Sequence, residues 1–513
     1  MILKTKKYLW IKALVIAAAL LAGASVCDAR EWFVRASGGS GDGSSYASAW
    51  AGFGAINWGS VAPGDTLYIC GTFNSTLNVG ASGSGESSRV AVRGDYAQEG
   101  GVIDVSGGEA ISVYGRSFVT LQGITVDRSG TNGVGAQSSS YVNISNCNFY
   151  RVGQSGGTVF GIDGRYAQGM KITNCRLTNE KGAFNATGIT VNLGMSSPAR
   201  SYVDKCYING IEVDGICPGN NVTITRNTIG NLMSAASHAD GIPVQGSNVI
   251  VSQNTIYNCT QNIYVDSFDY GSGSQCICDN VVVADNLVYG TSAIYGVGTN
   301  GISVDVETGG AASIRNLKIY NNTVANLNYR GFAIGDRGNG ASRLDGLDIR
   351  NNIVANCGDW NTNFDFDISG RPANMIMDYN LALNNHYENN GPNYSWNGTR
   401  YTLDQFKSAF GFETHGVSNP SGAIFVKYSY GASDNDYRPA SGSPAINAGI
   451  SAGDSYNIDL AGTSRPQGSG WDMGCYEEAG GSAGTPGGTT GGITVPTNHS
   501  DNGPNPPKNL RII

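Results

Sequence analysis

V-V-V-A-D-N-L-V at Val281–Val288, L-K-I-Y-N-N-T-V at Leu317–Val324 and L-D-I-R-N-N-I-V at Leu347–Val354 are copies of one phrase. Earlier copies stand at Val142–Phe149, Met170–Leu177, Val222–Ile229 and Val249–Ile256, with a looser one at Tyr202–Ile208. Each alternates apolar and polar residues, then puts Cys or Asn in one fixed slot, then an apolar residue two positions on. The slot holds Cys147, Cys175, Cys206, Asn227, Asn254, Asn286, Asn322 and Asn352, at intervals of 21 to 36 residues. Repetition at this period means stacked structural units. The apolar spacing is two and β-branched residues dominate, so the units are strands. A variable interval over a constant phrase is a coil of fixed girth carrying loops of different length. The fold class that follows is all-β, a parallel β-helix, with coils stacked about 4.8 Å apart. Asn in the slot is expected to form an amide ladder; Cys there packs as a small apolar group.

Composition agrees. The chain has 513 residues, 74 of them Gly, with 14 % charged residues and a net charge of −8. Low charge with abundant Gly suits a solenoid with tight turns and argues against disorder. The first 29 residues read as a secretory signal: Lys4, Lys6, Lys7 and Lys12, the apolar run Ala13–Gly23, then the small residues near Cys27-Asp28-Ala29. Val26 before Cys27 argues against lipidation. No later stretch is long and apolar enough to span a membrane as a helix. Removing residues 1–29 takes away four Lys and one Asp and makes the chain more acidic still. That charge disfavours nucleic acid as a partner, and it attracts no polyanionic sugar unless a metal or a local basic patch reverses the field. The chain is read as a monomer.

The expected organisation is a signal at 1–29, an N-terminal cap with first strands at 30–89, and coils at 90–383. A closing segment at 384–479 and a Gly/Thr/Pro-rich tail at 480–513 complete it. Short helices are expected around Ala51–Asn57 and Thr402–Phe410. Cys147, Cys175 and Cys206 read as a buried thiol stack. Cys276 and Cys278 are the better disulfide candidates, with Cys259 or Cys217 as partners. No spacing suggests structural zinc.

Both ends carry a resemblance. W-F-V-R-A-S-G-G-S-G-D-G at Trp32–Gly43, continued by G-S-V-A-P-G-D-T-L-Y-I-C-G-T-F at Gly59–Phe73, resembles the start of secreted bacterial β-helix proteins of the pectate-lyase-like superfamily. D-Y-R-P-A-S-G-S-P-A-I-N-A-G at Asp436–Gly449 and R-P-Q-G-S-G-W-D-M-G-C-Y-E at Arg465–Glu477 are similar to the closing segment called choice-of-anchor Q. The resemblance implies the fold, secretion and a surface or extracellular setting. It does not fix an activity, since that superfamily holds lyases, hydrolases, epimerases and adhesins.

Candidate chemistry lies on the strand after each phrase. G-I-T-V-N at Gly188–Asn192, G-I-E-V-D at Gly210–Asp214, G-I-P-V-Q at Gly241–Gln245, N-I-Y-V-D at Asn262–Asp266 and G-I-S-V-D at Gly301–Asp305 align. Alternation turns the second and fourth residues inward and the third and fifth outward. The outward columns contain Asn192, Asp214, Gln245, Asp266, Asp305 and Asp367, with Glu212, Tyr264 and Asp365 beside them. Stacked carboxylates call for a cation, a shared proton, a substrate or plain solvation; calcium is one reading. Loop lengths suggest a groove across the axis floored by Glu212, Asp214, Pro243 and Gln245. S-H-A-D-G-I at Ser237–Ile242 brings His238 and Asp240 to it, as acid or base or as a turn pair. It faintly resembles turns of polygalacturonases, without their Asp-Asp pair or Gly-His-Gly. The catalytic set expected is Asp214, His238, Asp240, Asp266 and Asp305. Glu212, Gln245, Tyr264 and Arg337 are expected to bind substrate, and Lys181 and Arg226 are further basic candidates. Two carboxyls one or two coils apart suit retaining or inverting glycoside hydrolysis; a Tyr, His or Arg base suits elimination. The reading is a secreted protein that binds and degrades an extracellular polysaccharide, with a non-catalytic adhesin-like role as the alternative.

Overall fold

The computed structural model describes residues 29–232, 239–267, 277–291, 299–307, 312–336, 343–358, 362–368, 370–385 and 391–478. The signal segment up to 28 and the tail from 479 lie outside the described residues.

Each phrase folds as two short strands meeting at a corner. In one coil these are Val222–Thr225 and Thr228–Leu232, with Arg226 and Asn227 between them. Neighbouring coils pair with them in parallel and in register. Ile224 lies between Val203 and Val251, and Ile229 lies between Ile208 and Ile256. A third strand, here Asp240–Val244, closes the coil. Among the described residues the third face carries six strands from Leu77–Asn78 to Ile216–Pro218, then seven from Asp240–Val244 to Thr399–Tyr401. Inward Val, Ile and Leu from all three faces form one continuous core.

The corner has two fixed parts. The residue before the slot is left-handed in coil after coil: Gly123, Asn146, Asn174, Lys205, Arg226, Gln253, Asp285, Asn321, Asn351 and Tyr379 have φ between +53° and +66°. That conformation is unfavourable for most side chains, so something must hold it. The slot residue does. Asn227, Asn254, Asn286, Asn322, Asn352 and Asn380 each donate their backbone N–H and Nδ2 to the side-chain oxygens of the next slot residue. Each Nδ2 also reaches a backbone carbonyl, Val251 O at 2.9 Å in the case of Asn286. The last acceptor is not an amide. It is Glu413, fully buried, with burial pushing its carboxyl up to about 8. At the other end Asn227 accepts from the Cys206 N–H. Cys206, Cys175 and Cys147 then continue the slot as buried free thiols, as expected.

Parallel pairing reaches back to Glu31–Arg35, which lies against Thr66–Phe73. The expected helix near Ala51–Asn57 is instead two single 3-10 turns, Phe53–Ala55 and Trp58–Ser60. Leu403–Phe410 is helical, capped by Thr402 in a capping box with Gln405. From Ile424 onward the chain runs back along the outside of the second face. Ile424, Phe425, Tyr437, Ala445, Met473 and Cys475 cover Leu287, Ala325, Ile353, Ala355 and Leu381. Arg465, fully buried, pairs with Asp285 at 3.2 Å and with Glu477 at 3.0 Å. Asn351 holds the backbone of Ile450 on both sides.

The disulfide expectation is corrected in part. Cys217 and Cys259 are free thiols, so neither bridges Cys278. The Cys278 sulfur lies 3.3 Å from the carbonyl of Asp266 instead. Cys276 lies outside the described residues.

The ladder predicts unequal costs along one slot. Asn286→Ala strips the acceptor from the backbone and side chain of Asn254 and the donor from Val251. With the Asn322 side-chain oxygen, which loses one of its donors, four buried groups each lose a bond, for a cost of about 4 kcal/mol. Cys175→Ala removes one small buried group, for about 1 kcal/mol. Denaturant titration of both variants checks this; equal costs would show that the ladder adds nothing to packing.

Candidate functional site

The register of the third face decides which outward side chains meet. Ile189 aligns with Ile216, Ile242 with Ile263, and Ile263 with Ile302. The Gly215 N–H donates to the Asp240 carbonyl, which joins the two sets. The strand of the Cys206 coil is therefore Ile216–Pro218 and not the G-I-E-V-D phrase. The reason is steric. Ile211 is buried in the corner between second and third faces, where Phe184 and Leu232 stand in adjacent coils. The corner takes the first Gly-Ile, and the second, Gly215-Ile216, makes the strand.

This corrects five positions. Glu212 is exposed and off the strand. Asp214 stands just before the strand rather than at its outward end. Asn192 is fully buried at a left-handed corner, φ +56°, where it donates to three carbonyls and accepts from Ser201. Asp266 and Asp305 are cross-strand partners, as expected, but they are only 6 % and 8 % exposed rather than solvated.

Asp214 and Asp240 each precede an aligned Gly, so they are neighbours on successive coils. Asp214 Oδ1 accepts the Asp240 N–H at 2.9 Å, and its Oδ2 faces the Cys217 thiol at 3.7 Å. Beyond them stand Pro243 and Tyr264, then Gln245, Asp266 and Asp305, with Glu307 further along the strand direction. Burial pushes the Asp240 carboxyl up to about 8, reinforced by Asp214 and Asp266. Burial also pushes Asp266 up to about 7, reinforced by Glu307 and Asp305. Hydrogen bonds from Tyr264 and Gln245 pull the other way.

Several acids elsewhere in the chain pair with arginine. Asp104 meets Arg128, Asp204 meets Arg226, Asp336 meets Arg343 and Asp365 meets Arg330. Among the described residues no cation pairs with Asp240, and its buried Oδ1 has no hydrogen-bond partner. A carboxyl kept this way holds its proton at neutral pH. Lys181 and Arg226 take no part in the patch. Lys181 pairs with Asp127, and Arg226 with Asp204. His238 and Arg337 lie outside the described residues, as do the loops 268–276 and 308–311 that the expected groove needs for walls. Among the described residues no group of three or more His, Cys, Asp or Glu is set to hold a metal ion, and no helix is long and apolar enough to cross a membrane. Cys217 and Glu307 were not foreseen. The run V-D-V-E at Val304–Glu307 signals the second, since it keeps alternate acids on one face.

A group whose carboxyl is raised in the folded chain costs stability once it is ionised in the unfolded one. For Asp240 the cost starts near the ordinary carboxylate range and grows until about pH 8, by about 1.4 kcal/mol per pH unit. Asp240→Asn removes it. The variant should match the parent near pH 4 and exceed it increasingly toward pH 8, by urea unfolding at each pH. Parallel curves would mean that Asp240 is not a buried protonated acid.

Residues 109–242 match the family described as right handed beta helix region. No curated protein matches. Among solved structures, a pectate lyase, Pel9A, is 17 % identical over 88 % of this chain and 97 % of its own, with a TM-score of 0.42. A PL6 family alginate lyase, AlyGC, is 14 % identical over 75 % and 57 %, with a TM-score of 0.41. PfbA, a surface adhesin of Streptococcus pneumoniae, is 11 % identical over 62 % and 80 %, with a TM-score of 0.37. Likeness at this level is one of outline and fixes neither chemistry nor substrate. By its stacked register and by the family that residues 109–242 match, the chain is a right-handed parallel β-helix.

Proposed function

We propose that this β-helix is a secreted protein that binds an extracellular polysaccharide along its third face and hydrolyses it. Asp240 is the proton donor. A leaving glycosidic oxygen needs a group that is still protonated at the working pH and can release its proton to the developing alkoxide. Asp240, raised to about 8 by burial and by its neighbours, meets that need. Its unpartnered oxygen is the observation that carries the reading.

Asp214 is the second carboxylate. Both its oxygens already accept hydrogen bonds, which fixes its orientation. One coil separates it from Asp240, about 4.8 Å along the axis, close to the spacing of a retaining pair. In that geometry Asp214 attacks the anomeric carbon while Asp240 protonates the leaving oxygen. Asp240, then ionised, draws a proton from the water that releases the sugar. Asp266, oriented by Tyr264 and Gln245, keeps the negative potential that holds the proton on Asp240. Asp305 and Glu307 act on Asp266 in the same way. Asp214 is half-buried and Glu212 is exposed, so the polymer would enter from their side. The basic and apolar start of the chain would deliver the protein out of the cell.

The test is a panel of polysaccharides with new reducing ends and ultraviolet absorbance of unsaturated ends read in parallel. Hydrolysis gives the first signal without the second. Asp240→Asn and Asp214→Asn should each lower turnover by about a hundredfold or more, and the parent rate should fall as pH rises past about 8. Unsaturated ends would mean elimination, and full turnover in both variants would remove the assignment.

A further inference from the structure

The largest exposed aromatic side chains of the described residues are grouped. Tyr114 is 60 % exposed, Tyr166 56 %, Tyr202 40 % and Tyr141 36 %. All four lie at or beside the turn that leads from the third face to the first, in coils on the N-terminal side of the acid patch. The register brings them together. Phe118 and Tyr141 occupy the same corner position one coil apart, both left-handed, φ +53° and +55°. Their rings stack at 4.9 Å and 4°. The next coil has Gly169 there, and a Cβ on it would lie 2.5 Å from the Tyr141 ring. Tyr166 leans in the same way over Gly194. Tyr202 is the cross-strand partner of Lys171.

Cations share the ridge. Arg89 lies 5.9 Å over the Phe118 ring. Arg116 is two residues before Phe118, with a buried Nε that has no hydrogen-bond partner. Arg165 immediately precedes Tyr166, and Arg200 precedes Ser201-Tyr202. Lys171 is exposed. Two carboxylates answer these five: Glu86 is paired with Arg89 and Asp163 with Arg165. Glu109 stands further back on the third face, over Gly135. Arg116, Lys171 and Arg200 make no ion pair among the described residues. In a chain of net charge −8, this is a local reversal of sign.

We propose that this ridge is a docking site for an anionic polysaccharide, with sugar rings against Tyr114 and Tyr166 and acid groups on Arg116, Lys171 and Arg200. The proposal rests on the preceding reading in taking the ligand to be a polysaccharide, and it adds the charge class and the place. The chemistry selects this occupant. Open tyrosine rings bury the apolar faces of sugars while leaving their hydroxyls wet. Guanidinium forks take carboxylate or sulfate groups. Cations spaced by aromatic residues match a polymer with intermittent charge better than the dense backbone charge of nucleic acid. The ridge also runs along the coil axis, and the register aligns it with the acid patch: Tyr114, Gln137 and Arg165 lead, through the buried Asn192 and Gly219, to Gln245 and Asp266. A single strand lying over that column would reach both ends.

The test is binding of the whole protein to polygalacturonate, dextran sulfate, uncharged dextran and single-stranded DNA, by affinity electrophoresis and calorimetry. Binding to polygalacturonate or dextran sulfate, and not to dextran, is expected; which of the two binds tells uronate from sulfate. The pairs Tyr114→Ala with Tyr166→Ala, and Arg116→Gln with Arg200→Gln, should each weaken it by about tenfold. The arginine pair should also flatten its salt dependence. Tyr114 and Tyr166 are exposed and Arg116 and Arg200 partly so, and unfolding curves should match the parent. Asp240→Asn should leave binding intact, which separates this site from the catalytic reading: loss of turnover without loss of binding supports both. Unchanged affinity in both pairs, a preference for dextran, or tightest binding to DNA would each overturn the docking site and leave the hydrolytic reading untouched.

Discussion

A stack of parallel strands keeps its cross-section only if the corner between faces is fixed, and here an amide ladder fixes it. Each slot Asn spends both side-chain groups on neighbours above and below, while the residue before it adopts the left-handed bend that starts the second face. The two demands support each other. The bend aims the slot side chain inward, and the ladder repays a conformation that Lys205, Arg226 and Gln253 would otherwise avoid. Because the loops lie outside this ladder, their lengths vary without disturbing it. Coil spacing and register therefore persist through insertions, and outward side chains far apart in sequence meet at fixed distance.

That rigidity makes the acid patch meaningful. Carboxylates on successive coils cannot move apart as they would on a loop. Elsewhere the chain resolves such contacts with an arginine one coil or two residues away. At Asp240 it does not, and burial, reinforced by the neighbouring Asp214 and Asp266, raises its carboxyl to about 8. A merely solvated face would show neither the burial nor the shift. A structural ion pair would show the burial with a cation beside it.

How far the sequence spoke depended on how strictly each feature repeats. The slot is invariant in spacing to its flanking strands, so fold, ladder and thiol stack could be read from it. Even there Asn380 and Glu413 were missed, although D-Y-N-L-A-L at Asp378–Leu383 keeps the phrase. The third strand has no such marker. Two Gly-Ile pairs lie five residues apart near Ile211, and only three-dimensional packing at the corner decides between them. The backward run of the C-terminal segment had a signal that was not used. Thr228 and Thr255 face outward in the second strand of the phrase, whereas Leu287, Ile353 and Leu381 hold the same position later. Loss of alternation on a solenoid face means that the face is covered. The ridge of tyrosines could not be read, because its members come from turns with no common spacing.

The same device sets the direction of the third face. Read along the aligned column of the third face, the residues pass from Tyr114 and Arg165 through the buried, uncharged Asn192 and Gly219 to Gln245, Asp266 and Asp305. Each coil contributes one residue, so the potential changes sign over a few coil spacings rather than within one contact. A polyanion lying along it is held at the basic end and repelled at the acidic end. The repulsion weakens as the acids retain protons, and Asp240 and Asp266 retain them up to about 8 and about 7. The proton that Asp240 would give to a leaving sugar is therefore also one whose retention would let a charged strand approach. In the proposed reading, ionisation of this carboxyl row would end proton transfer and loosen the acidic end of a charged strand, while the basic ridge keeps its hold.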